Sequence, residues 1–300
     1  MNLKSLWSTL NEADAPIDEC AMMSTMKLVP ELNLPPGWFT WFAAAVLFGA
    51  EPITTETYMC LFPYGWARLI EERFASAAQQ GYLVAEDGKY RLSEKGAGVI
   101  QQITQAVNEA VAQLQPMPAE NLGQFVNYLI RLADASSAMP EPPTKWLSAY
   151  KRRNMNPGEE ASLPRLIIYY FDQVAAYRDD AYVSLWQAHG VAGHTWNTLD
   201  MLNQNNALAF DALYEKLRAW GVPQDVHAED VKELARRGWV EEISGVYQIT
   251  ATGKQVRAEV EAETERLFFA PWACLNESEL EELASLASQL RDGLGIPSTE

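Results

Sequence analysis

Residues 81–96 read GYLVAEDGKYRLSEKG, and residues 238–253 read GWVEEISGVYQITATG. At a constant offset of 157 residues the two stretches align three glycines, a tyrosine, an aliphatic residue and a hydroxyl residue. Self-similarity of this kind indicates that one structural unit is encoded twice in the chain.

Each copy of the repeat predicts a β-hairpin. Asp87-Gly88 in the first copy and Ser244-Gly245 in the second are typical of two-residue hairpin turns. Tyr90 and Leu92 in the first copy, like Tyr247 and Ile249 in the second, lie two residues apart, as the buried residues of a half-buried strand do.

Helices are predicted on both sides of each hairpin. The amphipathic pattern before the hairpin ends at Gly81 or Gly238, and glycine is the preferred residue just beyond a helix C-terminus. After the hairpin, Ser93 and Thr250 are suited to cap two long helices, which we expect to run to about residues 115 and 268.

The repeat extends to a closing amphipathic helix, at 117–135 in the first copy and 275–293 in the second. A helix, a hairpin wing and two further helices make a winged-helix module. The sequence therefore predicts a mainly α-helical protein with two tandem winged-helix modules in an intramolecular pseudo-dimer. The predicted domains are an N-terminal module (1–139), a linker with one short helix (140–164) and a C-terminal module (165–300).

The closing helices carry apolar stripes that need a partner. We expect them to pack together with the long helices at the centre of the molecule, because leaving both stripes in water would be costly. The residues concerned are Leu122, Phe125, Leu129, Leu280, Leu283, Leu286, Phe268 and Phe269.

The composition is that of a globular protein, with 48% apolar residues among 300 and a net charge of −17. The longest apolar run, residues 38–50, is too short to span a bilayer. We expect a cytoplasmic protein without membrane contact, whose three dispersed cysteines are reduced. The negative charge repels polyanions at long range and disfavours DNA as a partner.

The hairpin region resembles the MarR class of transcription factors, in which a glycine-led strand, a turn and an L-T-x-x-G sequence precede a long helix. LSEKGA (92–97) and ITATGK (249–254) fit that pattern. The last 130 residues or so are also similar to a bacterial group, the SalK-like helix-turn-helix proteins. The matching stretches are YRDDAYVSLW (177–186), RRGWVEE (236–242) and the segment 249–275.

This resemblance implies dimer-like assembly and DNA binding through the helix before each hairpin. The candidate DNA contacts are Arg68, Arg73 and Lys89. In the second copy the corresponding helix start, 224–230, reads as an exposed acidic surface that would face phosphates badly. A monomer with internal pseudo-twofold symmetry and a homodimer are both compatible with the pattern.

Other polar and aromatic residues suggest a ligand site. Arg178 and Asp179 in YRDD could form the charged floor of a pocket, or a surface ion cluster. Trp186 and Trp196 could line a cavity for an apolar or aromatic ligand, or belong to the core. His189 and His194 lack a third ligand nearby in sequence, so we predict no metal site.

Two functional hypotheses follow. The first is a winged-helix transcriptional regulator that could also sense a small molecule. The second is a degenerate winged-helix scaffold that binds a small ligand or a protein partner and no longer binds DNA. We find no nucleophile with an adjacent base and no phosphate-binding loop, and we predict neither catalytic residues nor a cofactor.

Overall fold

The computed structural model describes residues 2–158 and 160–294. This part of the chain is mainly helical, with thirteen α-helices and two small antiparallel sheets. The helices are α1 (Leu3–Glu31), α2 (Trp38–Phe48), α3 (Thr55–Leu61), α4 (Ala67–Gln79), α5 (Glu94–Val111), α6 (Ala119–Ala138), α7 (Trp146–Asn154), α8 (Leu163–Gln187), α9 (Gly193–Asn205), α10 (Phe210–Leu217), α11 (Gln224–Arg236), α12 (Ala251–Phe269) and α13 (Glu277–Gly293). The strands are β1 (Leu83–Glu86), β2 (Lys89–Leu92), β3 (Ala207–Ala209), β4 (Val240–Ile243) and β5 (Val246–Ile249).

Both predicted hairpins are confirmed. Strand β1 pairs with β2, and β4 pairs with β5, each in antiparallel register across a two-residue turn. The turn residues Asp87, Gly88, Ser244 and Gly245 have φ angles of 49°, 72°, 54° and 83°. Two successive positive φ angles are the hallmark of a type I′ turn, whose twist matches that of the flanking strands.

The same order of elements occurs twice. In the first unit α2, α3 and α4 precede the hairpin and α5 and α6 follow it; in the second, α9, α10 and α11 precede and α12 and α13 follow. Each hairpin also pairs with a segment that precedes it in the chain. In the second unit β3 pairs with β5, and in the first unit Ile53 forms a single β-bridge with Tyr90. The long helices end at Val111 and Phe269, close to the expected residues.

The last glycine of each repeated stretch lies where a helix touches a strand. Ser93 and Thr250 cap their helices, accepting hydrogen bonds from the amides of Gly96 and Gly253, as predicted. A Cβ atom on Gly96 would lie 2.3 Å from the carbonyl oxygen of Tyr82, and one on Gly253 would lie 2.2 Å from that of Trp239. Only a residue without a side chain fits this close approach.

Replacing Gly96 with alanine is therefore expected to lower the free energy of unfolding by about 1–3 kcal/mol, because the new methyl group overpacks the contact. Gly98 in the same helix is the matched control, since a Cβ atom there meets nothing within 4 Å. Gly98→Ala should stabilise the helix by up to about 1 kcal/mol. Urea denaturation of the two variants measures both effects, and equal effects would contradict the packing argument.

The core of the molecule is built by both halves of the chain. The predicted stripe residues Leu122, Phe125, Leu129, Leu283 and Leu286 are buried in one cluster that also contains Phe268. Two other predicted members, Leu280 and Phe269, are only partly buried at its edge. The prediction that the closing helices share a core is thus confirmed for these residues.

Two long helices outside the repeated stretches complete this core: α1, and α8, which the apolar pattern of residues 165–188 predicts. Helix α1 packs against α5 of its own half and against α13 of the other half. Helix α8 does the equivalent, packing against α12 and against α6. Each half therefore covers its neighbour's closing helix, and the two cannot be separated without exposing apolar surface.

The segment predicted as a linker, 140–164, contains one short helix as expected, α7. Helix α7 packs on α8, and its N-terminus is held by the Asp180 carboxylate, which accepts hydrogen bonds from the amides of Leu147 and Ser148 (2.9 Å each). Leu147 is buried against the first unit. The proposed module boundaries themselves stay a prediction.

None of the helices in the described ranges combines the length and the apolarity that crossing a membrane requires. Cys20, Cys60 and Cys274 are all free thiols.

Candidate functional site

The two helix–hairpin units touch each other through the turn that leads into α4. A Cβ atom on Gly193, the first residue of α9, would lie 2.0 Å from the carbonyl oxygen of Pro63. A Cβ atom on Gly221 would lie 2.1 Å from Cδ2 of Leu69, in the first turn of α4. Gly221 itself comes three residues before α11 begins. The start of α4 therefore lies directly against the loop that leads into α11.

Aromatic residues of the two units contact each other at this interface. The indole Nε1 of Trp186 donates a hydrogen bond to the Tyr64 hydroxyl (3.0 Å), and the Tyr64 ring lies edge-on to Trp220 (5.7 Å between centroids). The ring of Trp66 meets His194 at 5.9 Å. Trp186 is buried, Tyr64 and Trp66 are half-buried and Trp220 is exposed, so the contact joins the core of the second unit to the surface of the first.

The three predicted DNA contacts have different surroundings. Arg68 is exposed on α4 and forms an ion pair with Glu72 (3.1 Å). Lys89 is exposed at the hairpin and lies opposite Glu86 in the strand register. Arg91, which the sequence analysis did not select, is exposed on the same hairpin.

Arg73, the third, is turned inward rather than toward solvent. Its Nη1 donates a hydrogen bond to the Thr40 hydroxyl of α2 (3.0 Å), and its side chain lies against Gly37. This contact ties α4 to α2 and leaves the guanidinium partly buried. As an exposed contact for phosphates, Arg73 does not have the expected position.

The second unit contains an equivalent hydrogen bond between its helices, in which an aspartate takes the place of the arginine. Asp230 corresponds to Arg73 in the repeat, and Thr195 corresponds to Thr40, since each threonine precedes a buried tryptophan in the first helix of its unit. The Thr195 hydroxyl donates to Oδ1 of Asp230 (2.6 Å). In both units a threonine of the first helix thus holds the helix before the hairpin.

Asp230 is also the centre of a buried polar network. Nδ1 of His194 lies 2.8 Å from Oδ1 of Asp230, and Nδ1 of His227 lies 3.1 Å from its Oδ2. Because an ionised carboxylate only accepts hydrogen bonds, both Nδ1 atoms must carry the hydrogen. His227 is fully buried, and its Nε2 has no hydrogen-bond partner in the described residues.

This network corrects the expected acidic surface at the start of α11. His227 and Asp230 are buried, at 0% and 4% exposure, whereas Asp225 and Glu229 are exposed. Burial alone would raise the pKa of the Asp230 carboxyl, but hydrogen bonds from His194, His227 and Thr195 outweigh it and lower that pKa. Asp230 is therefore a structural anion.

The exposed face of α11 has little free positive charge. Lys232 pairs with Glu229 (2.7 Å), and Arg236 and Arg237 both pair with Glu233 (2.5 and 2.6 Å). At the tip of the second hairpin, the exposed residues 241–245 include two glutamates and no cation. This surface has no evident complementarity to phosphate groups.

The predicted ligand residues are not brought together around one cavity. Trp186 and Trp196 are buried in the core of the second unit, stacked 6.0 Å apart. Arg178 pairs with Glu261 of α12. Asp179 lines a small cavity of about 120 Å³ between α8, α7 and α3. A ligand role for these four residues stays a prediction.

His189 and His194 also have structural partners. His189 stacks on Trp196 at 5.9 Å, and His194 contacts Asp230 as described above. Across residues 2–158 and 160–294, no group of three or more His, Cys, Asp or Glu side chains is arranged to hold a metal ion.

The comparisons with known proteins identify part of the chain. A family model described as a helix-turn-helix family matches residues 176–295, about two fifths of the 300 residues. Neither the curated proteins nor the solved structures contain a significant match to the chain. The matched segment runs from the second half of α8 to the end of α13 and so includes the whole second unit. This match supports a helix-turn-helix region in the C-terminal part of the protein.

Proposed function

We propose that this protein is a tandem winged-helix protein of the transcription-regulator type that serves as a binding scaffold and no longer holds a DNA duplex. Its two winged-helix modules, which resemble those of the MarR class, form an intramolecular pseudo-dimer. The observation that carries the proposal is the contact between the start of α4 and the loop before α11.

That contact opposes the usual geometry of dimeric DNA binding. Two recognition helices that enter successive major grooves on one face of a duplex lie about 34 Å apart. Here Leu69 of α4 touches Gly221, three residues before α11. Because the N-terminal ends of α4 and α11 are this close together, the two helices do not fit two half-sites in successive major grooves of one duplex.

Electrostatics support the same conclusion. DNA affinity depends largely on cations that neutralise phosphates. The chain has a net charge of −17, and the three cations at the end of α11 are engaged by its own glutamates. Arg73 is engaged by Thr40 and takes no part in a basic surface.

A DNA-binding regulator, with or without a small-molecule ligand, is the second candidate. The helix-turn-helix family match favours it, because that family type is associated with DNA-binding regulators. Arg68, Lys89 and Arg91 are exposed on the first unit and would be its contacts. In this case one unit would meet the duplex while the other stays clear of it.

Fluorescence anisotropy with labelled random-sequence duplexes separates the two candidates. At about 150 mM salt we expect binding no tighter than the 10⁻⁴–10⁻⁶ M typical of non-specific binders. Selection from random duplexes followed by a sub-micromolar dissociation constant would instead support the regulator.

Paired variants make the outcome specific. If DNA binds, Arg68→Ala/Lys89→Ala should weaken it and reduce the salt slope by about two, one for each phosphate contact. The control is Lys27→Ala/Lys216→Ala, which removes the same charge from exposed positions on α1 and α10. Equal losses in both pairs would indicate attraction by overall charge rather than a defined DNA surface.

A further inference from the structure

An open groove lies between the second half of α1 and the start of α2. Its volume is about 760 Å³, within the range typical of sites for drug-sized ligands. The apolar residues that form it are Met22, Met26, Trp38, Phe39 and Phe42. The groove is separate from the interface between the two units.

The apolar side chains of this groove are unusually exposed. Met22, Met26 and Phe39 are 60%, 54% and 62% accessible, and they are three of the eight large apolar side chains left exposed in the described part of the chain. Contiguous apolar surface of this kind marks an interaction site more often than isolated exposed residues do.

The two sides of the groove differ in stiffness. Trp38, Phe39 and Phe42 form an aromatic wall in which Trp38 lies edge-on to Phe42 at 5.3 Å and to Phe39 at 5.7 Å. The opposite side carries the flexible thioethers of Met22 and Met26. A rigid aromatic wall facing adaptable methionines can hold apolar groups of different shapes.

Two carboxylates complete the lining. Asp18 and Glu19 are exposed on α1, and neither has an ion pair or a hydrogen bond within the described residues. Partial burial and the carboxylate of Asp172 raise the pKa of the Asp18 carboxyl, and Lys151 and Arg165 act in the opposite direction. Lys151 is paired with Asp172 (3.0 Å), and Arg165 donates to Asn108 (3.1 Å).

We infer that this groove binds a lipophilic organic cation, such as an ammonium or phosphonium ion with aromatic or branched apolar groups. Its apolar body would cover the methionines and aromatic rings. Its positive charge would meet Asp18 and Glu19 and the faces of the aromatic rings, which attract cations. An anion of the same shape meets the same apolar surface and is repelled by the two carboxylates.

The inference deepens the proposed scaffold function by giving it a ligand class. Its test does not depend on DNA. The absence of a bound cation would leave the DNA measurements unchanged, and strong DNA binding would leave the cation measurements unchanged.

Tetraphenylphosphonium and tetraphenylborate are suitable probes, because they have nearly the same shape and opposite charge. Calorimetry on the full chain should give saturable one-to-one binding of the phosphonium. The borate should bind at least about tenfold more weakly, a difference of about 1.4 kcal/mol. Equal affinities would overturn the assignment to cations, and no phosphonium binding would overturn the site.

Variants locate the binding. Asp18→Asn/Glu19→Gln should lower phosphonium affinity at least about tenfold, a difference of about 1.4 kcal/mol. Glu86→Gln/Asp87→Asn removes the same charge from the exposed first hairpin and should leave affinity unchanged. Circular dichroism should show that both pairs remain folded. If the two pairs lower affinity equally, the phosphonium responds to the net charge of −17 and the site is wrong.

Discussion

Replacing Asp230 with alanine is expected to lower the free energy of unfolding by about 3–5 kcal/mol, the usual cost of removing one partner from a buried charged network. The carboxylate of Asp230 accepts hydrogen bonds from His194, Thr195 and His227, and the variant would leave these donors buried without their acceptor. Chemical denaturation at neutral pH measures the effect.

Asp225, one and a half turns earlier on α11, provides the control, because it is exposed. Asp225→Asn should change stability by no more than about 0.5 kcal/mol. A similar loss in both variants would mean that the negative charge of the helix matters and that the network does not.

The lowered pKa of Asp230 gives the pH dependence its sign. A carboxyl group whose pKa is lower in the folded than in the unfolded state stabilises the fold above its unfolded pKa, about 3.9. That contribution is lost as the pH falls through the folded pKa. The stability advantage of the wild type over Asp230→Ala should therefore persist from neutral pH to about pH 4 and shrink below it.

Dividing the chain into 1–139 and 140–300 is expected to abolish cooperative unfolding in both fragments when each is expressed alone. The central core contains residues of both halves, and α1 and α8 each cover the closing helix of the other half. Each buried leucine or phenylalanine contributes about 1.5–3 kcal/mol, so fragments that expose several of them should aggregate. Co-expressed fragments should associate in gel filtration.

A nicked chain is the control for dividing the backbone after folding. A protease site inserted beside the exposed Gly158 divides the backbone after the whole chain has folded. The nicked protein should remain one particle in gel filtration and separate only in denaturant. Fragments that are each soluble, monomeric and cooperatively folded would show two autonomous domains instead.

The hairpins and caps could be predicted because their signals are local. Gly88 and Gly245 follow residues that tolerate positive φ, and Ser93 and Thr250 bond to amides three residues away. The leucine stripes of the closing helices could also be predicted, because apolar residues at helical spacing indicate which face of a helix is buried.

The remaining features depend on partners distant in sequence. Arg73 looks like a surface cation until the rotation of α4 places it on Thr40, 33 residues earlier. Asp230 likewise meets Thr195 only through the packing of α9 on α11. One signal was available: a Thr-Trp pair begins both units, and the positions of Arg73 and Asp230 coincide in the repeat.

Helix α1 and its groove were harder to predict. Pro16 and Pro30 lie within α1, and proline usually argues against a helix interior. The apolar residues Met22 and Met26 belong to a groove only because the start of α2 lines its other side. No pattern within either helix specifies that placement.

The doubling of the unit within one chain changes how the protein can diverge. In a homodimer a single codon change alters both subunits, so each new side chain must be compatible with its own image across the twofold axis. Here positions 73 and 230 are separate codons, and they encode arginine at one and aspartate at the other. A site formed in one half needs no duplicate in the other. A ligand that binds such a site would do so at a stoichiometry of one per chain.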